Sequence, residues 1–315
     1  MFQPRRIPDS LFAGPFTVAE ACAANISYGK LRHADVLRLS RGIKSMKTEG
    51  DTSLALLTRP YTLVTGYSTA SHATAFEIWE FPGFLPGAGD PGIHIARQFP
   101  HTTPRRVGVV GHRTQFWDDE VEFLDGLWIT TRVRTWLDCA RKMSIDELVV
   151  VADHLLRIPR PAFEGRTRPY ATSDQLAAML DRHWGTPGIR KAREALAMAR
   201  VGSDSAPETR LRLAVVRAGL PEPELNVPTR LANGVERSPD QAFRDYRVAV
   251  EYEGDHHSGA DQVVRDITRD EDYLHSGWLV VRISKRHMAN EARPAVDKIG
   301  EALRSRGWPR RATHL

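Results

Sequence analysis

Only two cysteines occur in 315 residues, Cys22 and Cys139. A disulfide scaffold needs several at close spacing. Neither has a second Cys or a His at zinc-finger spacing beside it, so both read as buried small hydrophobes. No apolar run approaches the roughly 18 to 20 residues of a membrane-spanning helix, because charges or prolines interrupt each one. The start, Met1-Phe2-Gln3-Pro4-Arg5-Arg6, leads into no unbroken apolar stretch. That argues against a secretory signal and for the cytoplasm. Charge of one sign is not scarce either: 44 Lys and Arg against 39 Asp and Glu leave +5. This mild excess does not by itself demand an anionic partner. Internal repeats and low-complexity segments are absent. What is present, 41% hydrophobic and 26% charged residues, excludes disordered and collagen-like chains. The length exceeds what one core usually serves, so the expectation is an α+β protein of two or three units.

The basic residues are unevenly placed. The first fifty residues hold eight Lys and Arg against four Asp and Glu, most of the chain's surplus. Thr17 can cap a short helix that Asn25 ends in the left-handed region, and Ser27 can cap a second. Two short helices joined by a tight turn suit a helix-turn-helix whose second helix presents Tyr28, Lys30, Arg32 and His33 to a DNA groove. Leu39 to Lys44 suits the following wing, where Arg41 and Lys44 can meet phosphate. A helical hairpin with a solvated basic face is the plainer alternative.

The order of those helices, Arg41-Gly42-Ile43-Lys44, and then Ser71-His72-Ala73-Thr74-Ala75 resembles the AbiEi-type antitoxins of type IV toxin–antitoxin systems. The resemblance extends through strand-like Gly92 to Phe99, Arg106 to His112 and Gly126 to Thr131, and a helix start at Arg134 to Asp138. It implies an N-terminal winged helix over 1–60 that binds operator DNA, an α/β region over 61–157, and a nucleotidyltransferase-type toxin as partner. Ser71 and His72 read either as a capping serine beside a core histidine or as a functional pair.

A helix from Asp146 to Arg157 precedes the proline- and charge-rich stretch from Ile158 to Pro169, which reads as a linker. Helices are expected from Ser173 to about His183 and from Pro187 toward Arg200, so 158–202 is assigned as linker and helices.

The last unit, 203–308, opens at Ser205-Ala206-Pro207-Glu208, a capping box ahead of a helix that Gly219 ends. Strands are expected over Glu224 to Leu231, Val235 to Phe243 and Arg247 to Glu253. A helix from about Asp261 to Ser276 and a fourth strand, Trp278 to Ile283, complete an α-β-β-β-α-β order. Glu251 and Glu253, two apart on a strand, share a face. Two carboxylates buried side by side are costly without a cation. Hard divalent ions take oxygen ligands, which Asp240 and Glu251 can supply.

The motifs Glu208-Thr209, Pro239-Asp240, Val250-Glu251-Tyr252-Glu253-Gly254, His257, Arg265-Asp266, Arg269 and Gly277-Trp278 through Arg282 resemble the restriction-endonuclease-like superfamily. The likeness is to its branch related to very-short-patch-repair endonucleases. It implies Asp240 and Glu251 as ligands of Mg²⁺ or Mn²⁺, with Glu208 in the catalytic set. Glu253 stands where the superfamily has lysine, and His257 becomes the candidate base. Arg265 and Arg269, four apart on one helical face, can hold phosphate, with Asp266 as their structural partner. The implied function is metal-dependent hydrolysis of DNA phosphodiesters. Its alternative is a repressor-antitoxin with a non-catalytic nuclease-like domain. A homodimer would suit either, and no membrane partner is expected. The plainer alternatives place Glu208 as a cap, Asp240 in a turn and both Glu251 and Glu253 on the wet face of an edge strand.

Overall fold

In a computed structural model the described residues are 14–47, 52–254 and 260–309. The chain is mixed α and β and divides into two compact units, 1–144 with 174–193, and 145–173 with 194–315. Among the described residues no helix is long and apolar enough to cross a membrane.

The first unit begins with β1 (Phe16–Thr17) and α1 (Val18–Ala23). Thr17 and Glu20 close a reciprocal capping box, and Asn25 adopts a φ of 59°, as the sequence predicts. The expected second helix is not formed. Ser27 accepts from the Lys30 amide at 3.4 Å, but only the three-residue 3₁₀ turn Lys30–Arg32 follows before His33 returns to extended backbone. Gly29, a weak helix former, stands at the N-cap of this turn. The turn brings Leu31, 2% exposed, into a small core with Phe16, Ala21, Ile26 and Val36. The hairpin β2 (Val36–Ser40) and β3 (Ile43–Met46) follows, its turn made by Arg41 and Gly42 at φ 79°, and β1 pairs with β3.

Then come α2 (Leu54–Val64), β4 (Ser68–Ala70), α3 (His72–Ile78), β5 (Ile93–Gln98), β6 (Val109–Thr114), β7 (Val121–Leu124), β8 (Leu127–Thr130) and α4 (Arg132–Cys139). The strands form one mixed sheet in the order β6-β5-β4-β8-β7. Ile43, Tyr61 and Ile95 pack the N-terminal hairpin onto this sheet. Cys139 is buried as expected, whereas Cys22 is exposed because the short α1 turns only Ala21 fully inward.

The second unit takes α5 (Ile145–Leu156) and α6 (Pro161–Glu164). The chain returns to the first unit for most of α7 (Ser173–Arg182) and the start of α8 (Ile189–Met198). It then continues in the second through α9 (Ala206–Arg217), β9 (Glu224–Leu225), β10 (Thr229–Arg230), β11 (Glu236–Arg237), β12 (Gln241–Phe243), β13 (Val248–Glu253), α10 (Ala260–His275), β14 (Leu279–Ser284) and α11 (Ala289–Ser305). The sheet order is β14-β13-β12-β9, antiparallel except for the β13–β14 pair, which α10 connects. Counting only the four strands of this sheet with α9 and α10, the element order is α-β-β-β-α-β. The two long strands expected over 224–231 and 235–243 are each split in two. Their inner ends, β10 and β11, leave the sheet as a separate hairpin around Gly234.

Candidate functional site: a buried carboxylate centre

Strand β13 alternates cleanly. Val248 and Val250 point into the core with α9 and α11, while Ala249 faces Tyr273 and Trp278. Glu251 and Glu253 therefore lie on the Tyr273 face. The register Gln241↔Val250 brings the preceding Asp240 beside Glu251, and Asp240 Oδ2 accepts from the Tyr252 amide at 2.6 Å. Helix α9 contributes Glu208. Gln241 donates from its side chain to the Glu208 carbonyl at 3.2 Å, which ties the helix to the strand. Glu208 also caps, but differently from the expected bond to Ser205 N. It accepts from Ser205 Oγ at 2.8 Å, from the Asp204 amide at 2.9 Å and from Asn226 Nδ2 at 3.2 Å.

Glu251 is the least satisfied of the three. It is 7% exposed, and its Oε1 is buried without a hydrogen-bond partner among the described residues. Its Oε2 is 3.5 Å from Arg269 Nη1, well beyond the ~2.7–2.9 Å of a charge-assisted bond. Burial and then the neighbouring Asp240 push its carboxyl up to about 7. The same two causes, in the same order, raise Glu208 to about 7. Burial also pushes Asp240 up, against the Tyr252 amide and Arg269, which pull it down. Buried acids crowded together without an answering cation favour the protonated form, which is why burial and the neighbouring carboxylates raise them. The orphaned Glu251 oxygen beside Asp240 fits a hard divalent ion. Among the described residues no three His, Cys, Asp or Glu side chains are arranged to hold a metal. Two carboxylates completed by water and phosphate oxygens is the usual Mg²⁺ arrangement.

Glu253 stands apart from this trio. Arg282 Nη1 donates to it at 2.5 Å, and Arg282 also pairs with Asp270 at 2.7 Å. The expected phosphate-holding Arg269 instead points at Glu251. His257 lies outside the described residues, as do the side chains of Arg265 and Asp266.

Of the expected DNA contacts, Tyr28, Lys30 and Arg32 sit on or beside the 3₁₀ turn, with Tyr28 65% exposed. Arg41 tips the hairpin, and Lys44 lies across from Arg38 within it. Ser71 occupies the cap position of α3 without capping it; its hydroxyl lies 3.0 Å from His72 Nδ1. His72 stacks on His112 at 3.7 Å, and His112 Nε2 is 3.0 Å from His94 Nδ1. Burial and then His72 lower His94 to about 4 and His112 to about 3, which keeps those rings neutral. Sequence reading passed over His94, His112 and the arginines Arg97, Arg105, Arg106 and Arg113. The available signal was the run Thr102-Thr103-Pro104-Arg105-Arg106 between two strands.

Two curated proteins of Mycobacterium tuberculosis, Uncharacterized protein MT2308 (strain CDC 1551 / Oshkosh) and Uncharacterized protein Rv2248 (strain ATCC 25618 / H37Rv), are each 28% identical to this chain over 195 residues. The match covers 62% of this chain and 65% of each relative, so the chain spans just under two thirds of their length. No family model and no solved structure matches.

Proposed function

We propose that the chain is a DNA-binding protein whose C-terminal unit is a metal-dependent phosphodiesterase of restriction-endonuclease-like kind. The observation that carries this reading is the buried Glu251 Oε1 beside Asp240: among the described residues it has no hydrogen-bond partner, while Oε2 has only the long 3.5 Å contact with Arg269. Asp240 and Glu251 would hold the ion, with Glu208 in the same carboxylate cluster. Bound there, Mg²⁺ or Mn²⁺ would polarise a phosphate and lower the pKa of an attacking water. The chain's own part is to hold these carboxylates in place. The Tyr252 amide orients Asp240, and Asn226, Ser205 and the Asp204 amide orient Glu208. Glu253 is committed to Arg282, so the proton-accepting role falls to His257. Arg269, 43% exposed and held among the described residues only by a 3.5 Å contact with Glu251, would supply the positive charge that the superfamily's lysine otherwise brings.

Calorimetric titration with Mg²⁺ and Mn²⁺, on wild type and Asp240→Ala, tests this, together with nicking of supercoiled plasmid and digestion of single-stranded DNA. Metal binding and nicking that both vanish in the variant support the reading. A wild type that binds neither metal sinks it. The Glu253–Arg282 ion pair favours one second reading, a repressor of AbiEi kind with a nuclease-like domain that does not cut, partnered by a nucleotidyltransferase-type toxin. In that case Lys30→Ala or Arg32→Ala abolishes operator binding, and Asp240→Ala leaves function intact.

A further inference from the structure

Two cavities of the first unit meet at one residue, Gly66. The larger is a cleft of about 1120 Å³ whose charged lining is entirely arginine: Arg38, Arg41, Arg97, Arg105, Arg106 and Arg113. Among the described residues none of the six forms an ion pair with a carboxylate. Three are oriented by other means. Arg106 donates to the Arg41 carbonyl at 2.7 Å and to Thr65 Oγ1 at 3.0 Å, and Arg97 donates to the Gly66 carbonyl at 2.9 Å. Arg113 lies over the Phe99 ring at 5.6 Å. An arginine held by carbonyls or a ring is oriented without being neutralised, which lowers the ordering cost of meeting an anion while keeping its full charge.

The second cavity, about 440 Å³, has the opposite character. Phe116, Trp117, Trp128 and Tyr67 line it, and Asp118 and Gln98 add polar atoms. Trp117 and Trp128 are 41% and 42% exposed and Tyr67 70%, so ring surface reaches solvent beside a positive cleft, although His101 stacks on Tyr67 at 4.3 Å, Arg182 lies over Trp117 at 5.4 Å and Phe123 tilts against Trp128 at 4.7 Å. A Cβ placed on Gly66 would meet nothing within 4 Å, so the rim between the cavities is open.

A cationic track for phosphates next to aromatic faces for bases is how proteins hold unpaired strands. Bases inside a duplex are stacked and cannot enter such a pocket unless they are extruded. We propose that a single-stranded nucleic acid crosses the first unit at Gly66, with its phosphates in the arginine cleft and one unpaired base in the Trp117/Trp128 pocket. This rests on the DNA-binding reading above and narrows it from duplex to unpaired strand. Asp118, which lines this cavity, would be the acceptor for an exocyclic amino group of the base.

The test is fluorescence anisotropy on the full chain with three labelled probes of equal phosphate count: a single strand, the same strand made abasic, and a duplex. Wild type is expected to bind the intact strand about tenfold more tightly than the abasic strand. Trp117→Leu with Trp128→Leu should erase that difference, and so should Gly66→Leu, which closes the rim without removing a charge or a ring. Arg105→Gln with Arg113→Gln should weaken all three probes and flatten the salt dependence by up to about two contacts' worth. Should the double variants lose the wild-type melting transition, the exposed single changes Trp128→Leu and Arg105→Gln carry the comparison. Equal binding of intact and abasic strands, or a preference that survives Gly66→Leu, overturns the inference while duplex binding keeps the DNA reading. A wild type that binds none of the probes overturns both. Arginine-dependent binding to phosphatidylglycerol vesicles, without binding to the strands, overturns both in favour of a membrane surface.

Discussion

The chain buries two clusters of acids, one in each unit, and treats them in opposite ways. In the first unit Glu120 is fully buried, yet every oxygen is answered. Arg134 donates to it at 2.5 Å, His183 Nε2 lies 2.8 Å away and Arg182 donates at 3.1 Å. Arg134 itself, 1% exposed, also serves Asp138 at 2.9 Å, Thr114 at 2.7 Å and the Gln115 carbonyl at 2.9 Å. Burial works to raise Glu120, but His183 and Arg134 outweigh it and hold the carboxyl below its ordinary range. In the second unit Glu208 and Glu251 are each 7% exposed and Asp240 is half-buried, and all three are raised, burial being the largest cause for each. The contrast is one of partners: three side chains meet Glu120, whereas among the described residues Glu251 has only Arg269 at 3.5 Å. In the same unit the buried Arg212–Asp153 pair at 2.8 Å shows how strong burial is: Asp153 is raised although Arg212 pulls it down.

The largest effect should come from breaking the satisfied cluster. Arg134→Met strands Glu120 and Asp138 without their cation and is expected to cost about 3–5 kcal/mol in urea unfolding. Glu251→Gln should go the other way. It removes a charge that the fold resists, so at pH 8 the variant is expected to be more stable than wild type by on the order of 2 kcal/mol. On the proposed function it also loses DNA nicking.

The pH dependence separates the clusters further. A carboxyl raised in the fold contributes nothing to the pH slope below its unfolded value of about 4.5. It then lowers stability as pH climbs to about 7, and above that the loss is complete. Glu120, lowered, has the reverse sign: its contribution is present above about 4.5 and is lost on acidification. Melting temperatures across pH 4–8 should therefore fall between 4.5 and 7 in wild type, and less steeply in Glu251→Gln. Millimolar Mg²⁺ at pH 7.5 should restore part of this loss in wild type and release protons on binding, with neither effect in Asp240→Asn. The smallest change is expected for Arg269→Met. Arg269 is 43% exposed and 3.5 Å from Glu251, so its loss should raise the Glu251 titration midpoint slightly, read by NMR, and change stability by less than about 1 kcal/mol.

Much of the second unit was legible because its signals are local. Ser205 before Pro207, Gly219 and Gly277 at helix ends and an apolar run into Glu251 each follow from backbone chemistry within a few residues. The placement of Asp240 beside Glu251 was legible through spacing and resemblance. The splitting of the strands around Gly234 was not, because Arg237 and Asn233 reach Asp272 on α10, 35 and 39 residues away. The second N-terminal helix misled for a related reason. Its cap is present, but Leu31 is needed in a core assembled from Phe16 and Val36, and a single tight turn delivers it there. The arginine cleft gathers residues from the hairpin, β5, β6 and the loop between them, so no window of sequence contains it.

The path of the chain between the units also constrains how the protein is made. Residues 174–193 belong to the first unit although α5 and α6 of the second come before them. A nascent chain that has left the ribosome through residue 144 carries Glu120 and Arg134 but neither His183 nor Arg182, nor Lys191, which donates to the Arg141 and Met143 carbonyls. The N-terminal unit is therefore expected to complete its packing only after residues 174–193 have been made. A fragment ending at 144 should emerge with a buried glutamate half satisfied, whereas one ending at 193 carries every partner that glutamate has.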